Sequence, residues 1–260
     1  MDSALELVEA KLSEIFSGLG SRPASLHEAM RYAVGSGGKR VRPLLCIAAA
    51  EAVGGSREDA VYPACAVEIL HNYTLVHDDL PAMDGDRLRR GKPTLWVKYG
   101  QANAILAGDA LLSLAFQVAV KSPRNAAQIV SVLARAGVGV VQGQVEDLAI
   151  GSDGAVSAED ADFIYRHKTA DLFVAAVLSG ALAAGADESE LAALEEYALN
   201  LGLAFQYVDD LLDGDGAYSK ERTAELAESC TAAALAALEK LPGDTSRLSE
   251  IADALARRKV

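Results

Sequence analysis

The sequence is poor in the residues that mark several protein classes. It has three cysteines among 260 residues, Cys46, Cys65 and Cys230, and none belongs to a CxxC pair. This odd, scattered set excludes a disulfide scaffold and a cysteine zinc site, and it indicates a reducing compartment. Aromatic residues make up only 5%, and no stretch alternates β-branched and aromatic residues over the length of a strand. The sequence therefore does not predict a sheet protein.

Positive charge is also scarce. The 24 Lys and Arg residues face 37 Asp and Glu residues, which gives a formal net charge of -13. Because such a surface repels phosphates, nucleic acid and anionic membranes are excluded as main partners. The excess of acid is compatible with a site that collects divalent cations.

Long apolar runs are missing as well. The longest, residues 172–186, has fifteen residues, which is too short to cross a bilayer and predicts a buried helix instead. The first residues lack the apolar segment of a signal peptide. We therefore expect a cytoplasmic protein without a membrane span.

Helical periodicity extends over nearly the whole chain. Between Leu5 and Leu19 apolar residues recur every three or four positions, which predicts an amphipathic helix. Ser25 is expected to cap a second helix through Val34, and Pro43 to stand at the start of a third. Further helices are predicted at 59–80, 102–120, 126–148, 158–184, 188–213, 219–240 and 245–257. The fold class is all-α, with one domain over residues 1–260 and a single bundle of about ten or more helices.

Two aspartate clusters each follow an apolar helix. The first contains Asp78, Asp79, Asp84 and Asp86, and the second contains Asp209, Asp210, Asp213 and Asp215. Asp209 and Asp213 are four residues apart and share one helix face with Gln206. Carboxylates this close repel one another unless a cation lies between them, and Mg²⁺ prefers such oxygen ligands. The alternative is that both clusters are solvated helix ends of an acidic protein.

Basic residues stand beside these acids. Lys39, Arg40 and Arg42 follow a glycine pair, and Arg87, Arg89, Arg90 and Lys92 follow the first cluster. Glycines permit a close backbone approach, and these cations suit phosphate. Cations next to carboxylates favour a ligand that is both anionic and metal-bound, such as a diphosphate. Ordinary surface ion pairs with Asp84 and Asp86 are the alternative.

Several segments resemble motifs of the trans-isoprenyl diphosphate synthases. LVHDDLPAMDGDRLRRGKPT and FQYVDDLLDGDG are similar to their two aspartate-rich motifs, and GGKRVRPLL, GDALLSLAF, VQGQVEDL and RHKTADL are similar to other family segments. Order and spacing agree from about Leu5 to Gly214. The resemblance implies an all-α homodimer whose helices surround a deep central cavity. It also implies head-to-tail condensation of isopentenyl diphosphate with an allylic diphosphate, dimethylallyl or geranyl, with diphosphate released.

The resemblance also implies roles for individual residues. Asp78, Asp79 and Asp84 would bind Mg²⁺ from one side of the cavity mouth, and Asp209, Asp210 and Asp213 from the other, with three ions when substrate is bound. Lys39, Arg42, His71 and Arg90 would hold isopentenyl diphosphate, although His71 also fits an ordinary helix histidine. Arg89, Lys168, Thr169 and Gln206 would face the allylic diphosphate. Asp78, Asp79, Asp84, Arg89, Lys168 and Asp209 would be catalytic.

Product length is expected to depend on the helix that precedes Asp78. Tyr73 and Thr74 lie five and four residues before it, and in the family a large aromatic residue there closes the cavity floor. Packed side chains do not yield cheaply to an extra isoprene unit. The resemblance therefore predicts farnesyl diphosphate as the product, with geranylgeranyl diphosphate as the alternative. Tyr73 also fits an ordinary core aromatic residue.

Two other functions compete with this prediction. A catalytically silent partner subunit would be expected to lose aspartates, and all six are present. A terpene cyclase would not need the GGKRVRP segment for a second diphosphate.

The sequence departs from the family pattern at one place, because the family's lysine-bearing lid loop is missing after Gly214. Either the natural protein lacks it or the printed sequence omits mobile residues, and the intact motifs on both sides favour the omission.

Overall fold

The computed structural model describes residues 3–150, 156–214 and 216–258, and these residues form an all-α bundle, as predicted. The elements are α1 (Ser3–Ser17), α2 (Ala24–Gly35), α3 (Val41–Ala52), α4 (Arg57–Asp78), β1 (Leu88–Arg89), β2 (Lys92–Pro93), α5 (Leu95–Tyr99), α6 (Gln101–Ala119), α7 (Ala126–Ile150), α8 (Ala158–Ile164), a π-helical segment (Tyr165–Ala170), α9 (Asp171–Ala184), α10 (Glu188–Asp213), α11 (Lys220–Leu238) and α12 (Ser246–Ala256).

Most helix boundaries agree with the sequence prediction, and the differences have local causes. The prediction for α10 is confirmed at both ends, because Asp187 forms a capping box with Glu190 and Gly214 ends the helix with a positive φ. The prediction that Ser25 caps α2 is wrong, since the cap position is Pro23. The short α5 was not predicted, because five residues are too few to show helical periodicity.

A two-residue hairpin, which the sequence did not suggest, follows the first aspartate cluster. β1 and β2 pair antiparallel, with Leu88 opposite Pro93 and Arg89 opposite Lys92. Arg90 and Gly91 between them both have positive φ, 53° and 73°. This is the backbone geometry of the tightest two-residue hairpin turns. The hairpin turns the arginines back toward the end of α4.

Helix α9 forms the centre of the bundle and packs against α3, α4, α7 and α10. It contains most of the long apolar run of the sequence, and ten of its residues are buried, as predicted. Small residues permit this dense packing. A Cβ on Gly180 would lie 1.8 Å from the carbonyl oxygen of Cys46 in α3, so the backbones of α3 and α9 touch at this point.

The predicted helix 158–184 is interrupted by the π-helical segment. Such segments are often found at functional sites. A Cβ on Gly143 of α7 would lie 2.5 Å from the backbone nitrogen of Lys168, and one on Gly202 of α10 would lie 2.6 Å from Cα of Ala170. Because both neighbouring helices close directly on its backbone, the position of this segment is fixed from two sides.

Helices α6 and α7 expose apolar side chains. By length and composition each could cross a membrane, with mean hydropathies of 1.4 and 1.3. This is weak evidence for a span, because the core helices of soluble proteins meet the same test. The exposed residues include Ile105, Leu106, Val138, Val141, Val145 and Leu148. The absence of a membrane span stays a prediction.

Candidate active site

Four residues that the family resemblance assigned to isopentenyl diphosphate line a common cavity. Its volume is about 560 Å³, and Lys39, Arg42, His71 and Arg90 are in its wall. Burial lowers the pKa of Arg42 to about 10, and burial together with Arg42 lowers the pKa of His71 well below its usual value. His71 is therefore neutral at pH 7, whereas Arg42 stays charged.

This cavity has unsatisfied polar atoms. In the described part of the chain, Arg42 Nε and His71 Nδ1 are buried without a hydrogen-bond partner. Buried polar groups are normally paired, so two such atoms in one wall point to an absent ligand. A charged guanidinium donor in particular suits the oxygen atoms of a phosphate group.

The glycine pair before Lys39 leaves space for the Arg90 side chain. The Arg90 guanidinium donates to the carbonyl of Gly37, and a Cβ on Gly38 would lie 2.5 Å from its Nη1 atom. Gly38 also has a φ of 138°, which favours glycine. The close approach expected at these glycines is therefore made by an arginine of the hairpin.

Arg40 has a different role from its neighbours. It is only 4% exposed, and it donates to Glu68 at 2.6 Å, to Glu9 at 2.7 Å and to the carbonyl of Val34 at 2.7 Å. Although the sequence grouped it with the phosphate-binding cations, its guanidinium is occupied by these partners. Arg40 anchors the start of α3 within the wall of the same cavity.

The first aspartate motif folds back on the end of α4. Asp78 is the last residue of the helix, and the amide of Asp84 donates to its carbonyl at 2.9 Å. Burial raises the pKa of Asp78 to about 6; Lys168 lowers it, and Asp84 and Asp79 raise it further. Because burial and neighbouring carboxylates disfavour the ionised form of Asp78, a cation bound beside it would stabilise that form.

Asp79 faces Arg89, another residue with a predicted role. Both Nε and Nη2 of Arg89 lie 2.7 Å from one oxygen of Asp79. Burial nevertheless raises the pKa of Asp79, because Arg89 offsets only part of the desolvation. Each residue is thus the counter-ion of the other. Their predicted roles, metal ligand and allylic diphosphate ligand, stay predictions.

Two residues of α7 join the site without having been singled out. Asp147 accepts from Lys168 Nζ at 2.5 Å, and Gln144 Nε2 lies 3.5 Å from Asp84. Gln144 is buried, and in the described residues its Oε1 has no partner. The segment VQGQVEDL contained the signal, because positions 144 and 147 are one helical turn apart and lie on one face.

The second aspartate motif lies at the end of α10. Asp209 is in the wall of the same cavity as Arg42, and Arg258 Nη1, beyond α12, lies 2.7 Å from it. Burial raises the pKa of Asp209, and Arg258 acts in the opposite direction. Asp213 is exposed in the last turn. Asp215 lies outside the described residues.

Asp210 points to the π-helical segment. It is buried, and it accepts from Tyr165 at 2.5 Å and from Gln206 at 3.0 Å. Gln206 in turn accepts from Thr169 at 2.9 Å. The predicted allylic residues Thr169 and Gln206 therefore contact each other, and Asp210 is joined to them. Its metal role stays a prediction.

The donor set fits Mg²⁺. Among the described residues, no three His, Cys, Asp or Glu side chains lie close enough to form a complete metal site. Mg²⁺ is usually held by one or two carboxylates and by substrate phosphates, so a ready-made cage is not needed. Asp78, Asp84 and Asp209 would be the residues to hold the ion through carboxylate oxygens, and burial raises the pKa of Asp78 and Asp209.

The two predicted floor residues lie on α4 below Asp78. Tyr73 is buried, and its ring meets the edge of His77 at 5.1 Å between centroids. Thr74 is also buried and donates to the carbonyl of His71 at 2.8 Å. A Cβ on Gly108 of α6 would lie 2.1 Å from His77 Nε2, so α6 closes on this part of α4. The role of the pair as a floor stays a prediction.

This arrangement agrees with comparisons to known proteins. A family model described as polyprenyl synthetase matches residues 23–259. The chain belongs to the polyprenyl synthetase family. The resemblance inferred from the motifs is thereby confirmed, and the family fold accounts for the bundle.

Three relatives illustrate the similarity. The chain is 46% identical over 215 residues to geranylgeranyl diphosphate synthase of Cyanophora paradoxa, covering 80% of this chain and 71% of that protein. It is 48% identical over 198 residues to a chloroplastic geranylgeranyl pyrophosphate synthase of Capsicum annuum, covering 74% of this chain and 54% of that protein. The crystal structure of an FPP/GFPP synthase from Zymomonas mobilis superimposes with a TM-score of 0.91 at 34% identity, covering 98% and 97% of the two chains. The chain thus spans about half the length of the Capsicum relative.

Proposed function

We propose that this chain condenses isopentenyl diphosphate head-to-tail with an allylic diphosphate, in a reaction that needs Mg²⁺. The observation that carries the proposal is the cavity of Lys39, Arg42, His71 and Arg90. Its unpaired Arg42 nitrogen supports a phosphate ligand. The Asp78 side of the site suits a second, metal-bound diphosphate.

The two diphosphates have different tasks. The allylic C–O bond breaks, the pair of electrons leaves with the diphosphate, and the isopentenyl double bond attacks the allylic carbon. Mg²⁺, when bound, neutralises the charge that develops on the leaving diphosphate. The Lys168 ammonium group donates to Asp147 and lowers the pKa of Asp78, and in this proposal it also stabilises the charge on the leaving diphosphate. Arg42 and its neighbours hold isopentenyl diphosphate in place for the attack. Loss of a proton to the released diphosphate ends the reaction.

We propose geranylgeranyl diphosphate as the product. The names of the Cyanophora and Capsicum relatives favour this alternative over farnesyl diphosphate. Tyr73 favoured the shorter product, but its ring packs against His77, which is compatible with an ordinary core position. The Capsicum protein is chloroplastic by name, so a cytoplasmic location stays a prediction.

We also propose that two copies of the chain associate through α6 and α7. Their exposed residues Leu106, Val138 and Val145 are each more than half exposed. Apolar faces on this scale are typical of interaction surfaces. A homodimer would cover this face, and sedimentation of the purified protein measures the assembly directly.

Incorporation of labelled isopentenyl diphosphate tests the proposed activity. The purified protein is given dimethylallyl, geranyl or farnesyl diphosphate with Mg²⁺, and product length is read by chromatography. A twenty-carbon product is expected. A fifteen-carbon product would restore the farnesyl prediction. Binding of both diphosphates without incorporation would indicate the silent partner subunit, and cyclic hydrocarbon would indicate a terpene cyclase.

A further inference from the structure

Tyr165 belongs to a small apolar cluster beside the second aspartate motif. The cluster is separate from the main core and contains Ile164, Tyr165, Tyr207 and Val208. The rings of Tyr165 and Tyr207 meet edge to face, with centroids 5.5 Å apart. The two tyrosines are similarly buried, but their hydroxyl groups have different partners. Tyr207 lies 3.4 Å from Asp162, whereas Tyr165 donates to Asp210.

The Tyr165 network consists of Tyr165, Asp210, Gln206 and Thr169. Its three hydrogen bonds have lengths of 2.5, 3.0 and 2.9 Å in that order. Two members are on the π-helical segment and two are on α10. The network therefore ties the residue pair expected at the allylic diphosphate to the second aspartate motif.

The direction of each hydrogen bond follows from the chemistry of the groups. Carboxylate oxygens act as acceptors, so Asp210 accepts hydrogen bonds from the Tyr165 hydroxyl at Oδ2 and from Gln206 Nε2 at Oδ1. Gln206 must therefore turn Nε2 toward Asp210 and Oε1 toward Thr169. The Thr169 hydroxyl then has to donate to that oxygen. Asp210 thus sets the amide orientation of Gln206 through Oδ1, and the Tyr165 hydroxyl donates a hydrogen bond to Oδ2 of the same carboxylate.

We propose that Tyr165 is a positioning residue of the allylic subsite, where it holds the Gln206 amide and the Thr169 hydroxyl in one orientation through Asp210. This inference rests on the proposed function. Without the Tyr165 hydroxyl, one oxygen of Asp210 loses a strong charge-assisted bond. The carboxylate can then rotate and carry Oδ1 away from Gln206 Nε2, so the Gln206 amide and the Thr169 hydroxyl bonded to it lose their fixed orientation.

Tyr165→Phe tests the role, with Tyr207→Phe as the matched control. Each variant removes one buried hydroxyl from the same cluster and keeps the ring. For Tyr165→Phe we expect kcat/KM for the allylic diphosphate to fall at least about tenfold, because a hydrogen bond to a charged group is lost. KM for isopentenyl diphosphate should stay within about twofold, since the wall of its cavity does not include the Tyr165 network. Tyr207→Phe should leave both parameters within about twofold.

A second measurement does not depend on turnover. The side-chain amide protons of Gln206, assigned by their loss in Gln206→Glu, are followed by NMR in ¹⁵N-labelled protein. In Tyr165→Phe their shifts should change and their exchange with water should accelerate, whereas Tyr207→Phe should keep the wild-type signals. An unchanged amide signal in Tyr165→Phe would overturn the positioning role even if the wild type proved inactive.

The kinetic outcomes separate the two proposals. Equal losses in both tyrosine variants would reduce the role of Tyr165 to support of the cluster and overturn the inference. An equal loss toward both substrates would do the same. An inactive wild type with an altered Gln206 signal in Tyr165→Phe would overturn the proposed function and leave the positioning of the amide established.

Discussion

Replacing Asp78 by Asn should stabilise the metal-free protein. Asp78 is held at the end of α4, where burial raises its pKa from 3.8 to about 6. A carboxyl group with a raised pKa prefers the neutral form in the folded state. The stability that this preference for the neutral form adds to the folded state is fully present below the pKa of the unfolded chain. It is lost as the pH rises through about 6. At pH 7 the wild type therefore bears the cost of a buried carboxylate, which a neutral amide of the same shape does not have.

The size of the effect follows from the two pKa values. Each pKa unit corresponds to about 1.4 kcal/mol, so the full difference is roughly 3 kcal/mol above about pH 7. Asp78 is partly exposed, so solvent screening lowers the expected gain to about 1–2 kcal/mol. For a chain of this length, that gain raises Tm by about 2–8 °C. The gain should shrink by about half between pH 8 and pH 5, because the wild-type carboxyl takes up its proton there.

Thermal unfolding with a chelator at several pH values measures this effect. Asp79→Asn is the matched control, because Asp79 is the neighbouring buried carboxyl but is paired with Arg89. That variant should gain less stability than Asp78→Asn, because Arg89 offsets part of the cost of burying the Asp79 carboxylate. A Tm for Asp78→Asn equal to or below that of the wild type at pH 8 would refute the reasoning. With Mg²⁺ and an allylic diphosphate the order should reverse, because only the wild type gains from the ligand.

Three further perturbations test other parts of the site. Arg258→Ala removes the counter-ion 2.7 Å from Asp209, so Mn²⁺ affinity measured by electron paramagnetic resonance should rise about two- to fivefold, and no change would separate this arginine from the metal site. Tyr73→Ala should lengthen the product by at least one isoprene unit if the ring is the floor, and an unaltered chromatogram would leave it an ordinary core residue. Gly143→Ala places a Cβ 2.5 Å from backbone of the π-helical segment and should cost about 1–3 kcal/mol with loss of activity. Gly137→Ala, on the same helix with open space at its Cβ, should hold or gain stability in the same denaturant titration.

The sequence alone determined most of the long helices and the chemical classes of the residues at the site. Apolar spacing and a strong cap defined α10 at both ends, because helical periodicity and capping are local properties of the chain. The two aspartate clusters and the cations beside them are also local features of the chain, and they indicated a metal-bound diphosphate. Motif order then identified the family, although the relatives favour a longer product than Tyr73 suggested.

Only the tertiary structure decided which partner each charged side chain has. Arg40 and Arg42 are two residues apart and line the same cavity, yet Arg40 is paired with Glu68 while Arg42 Nε has no partner among the described residues. Asp209 and Asp210 are neighbours, but they point to Arg258 and to Tyr165. These partners come from distant parts of the chain. Which of two adjacent residues meets them depends on how the helices pack, and a local sequence pattern contains no record of that packing.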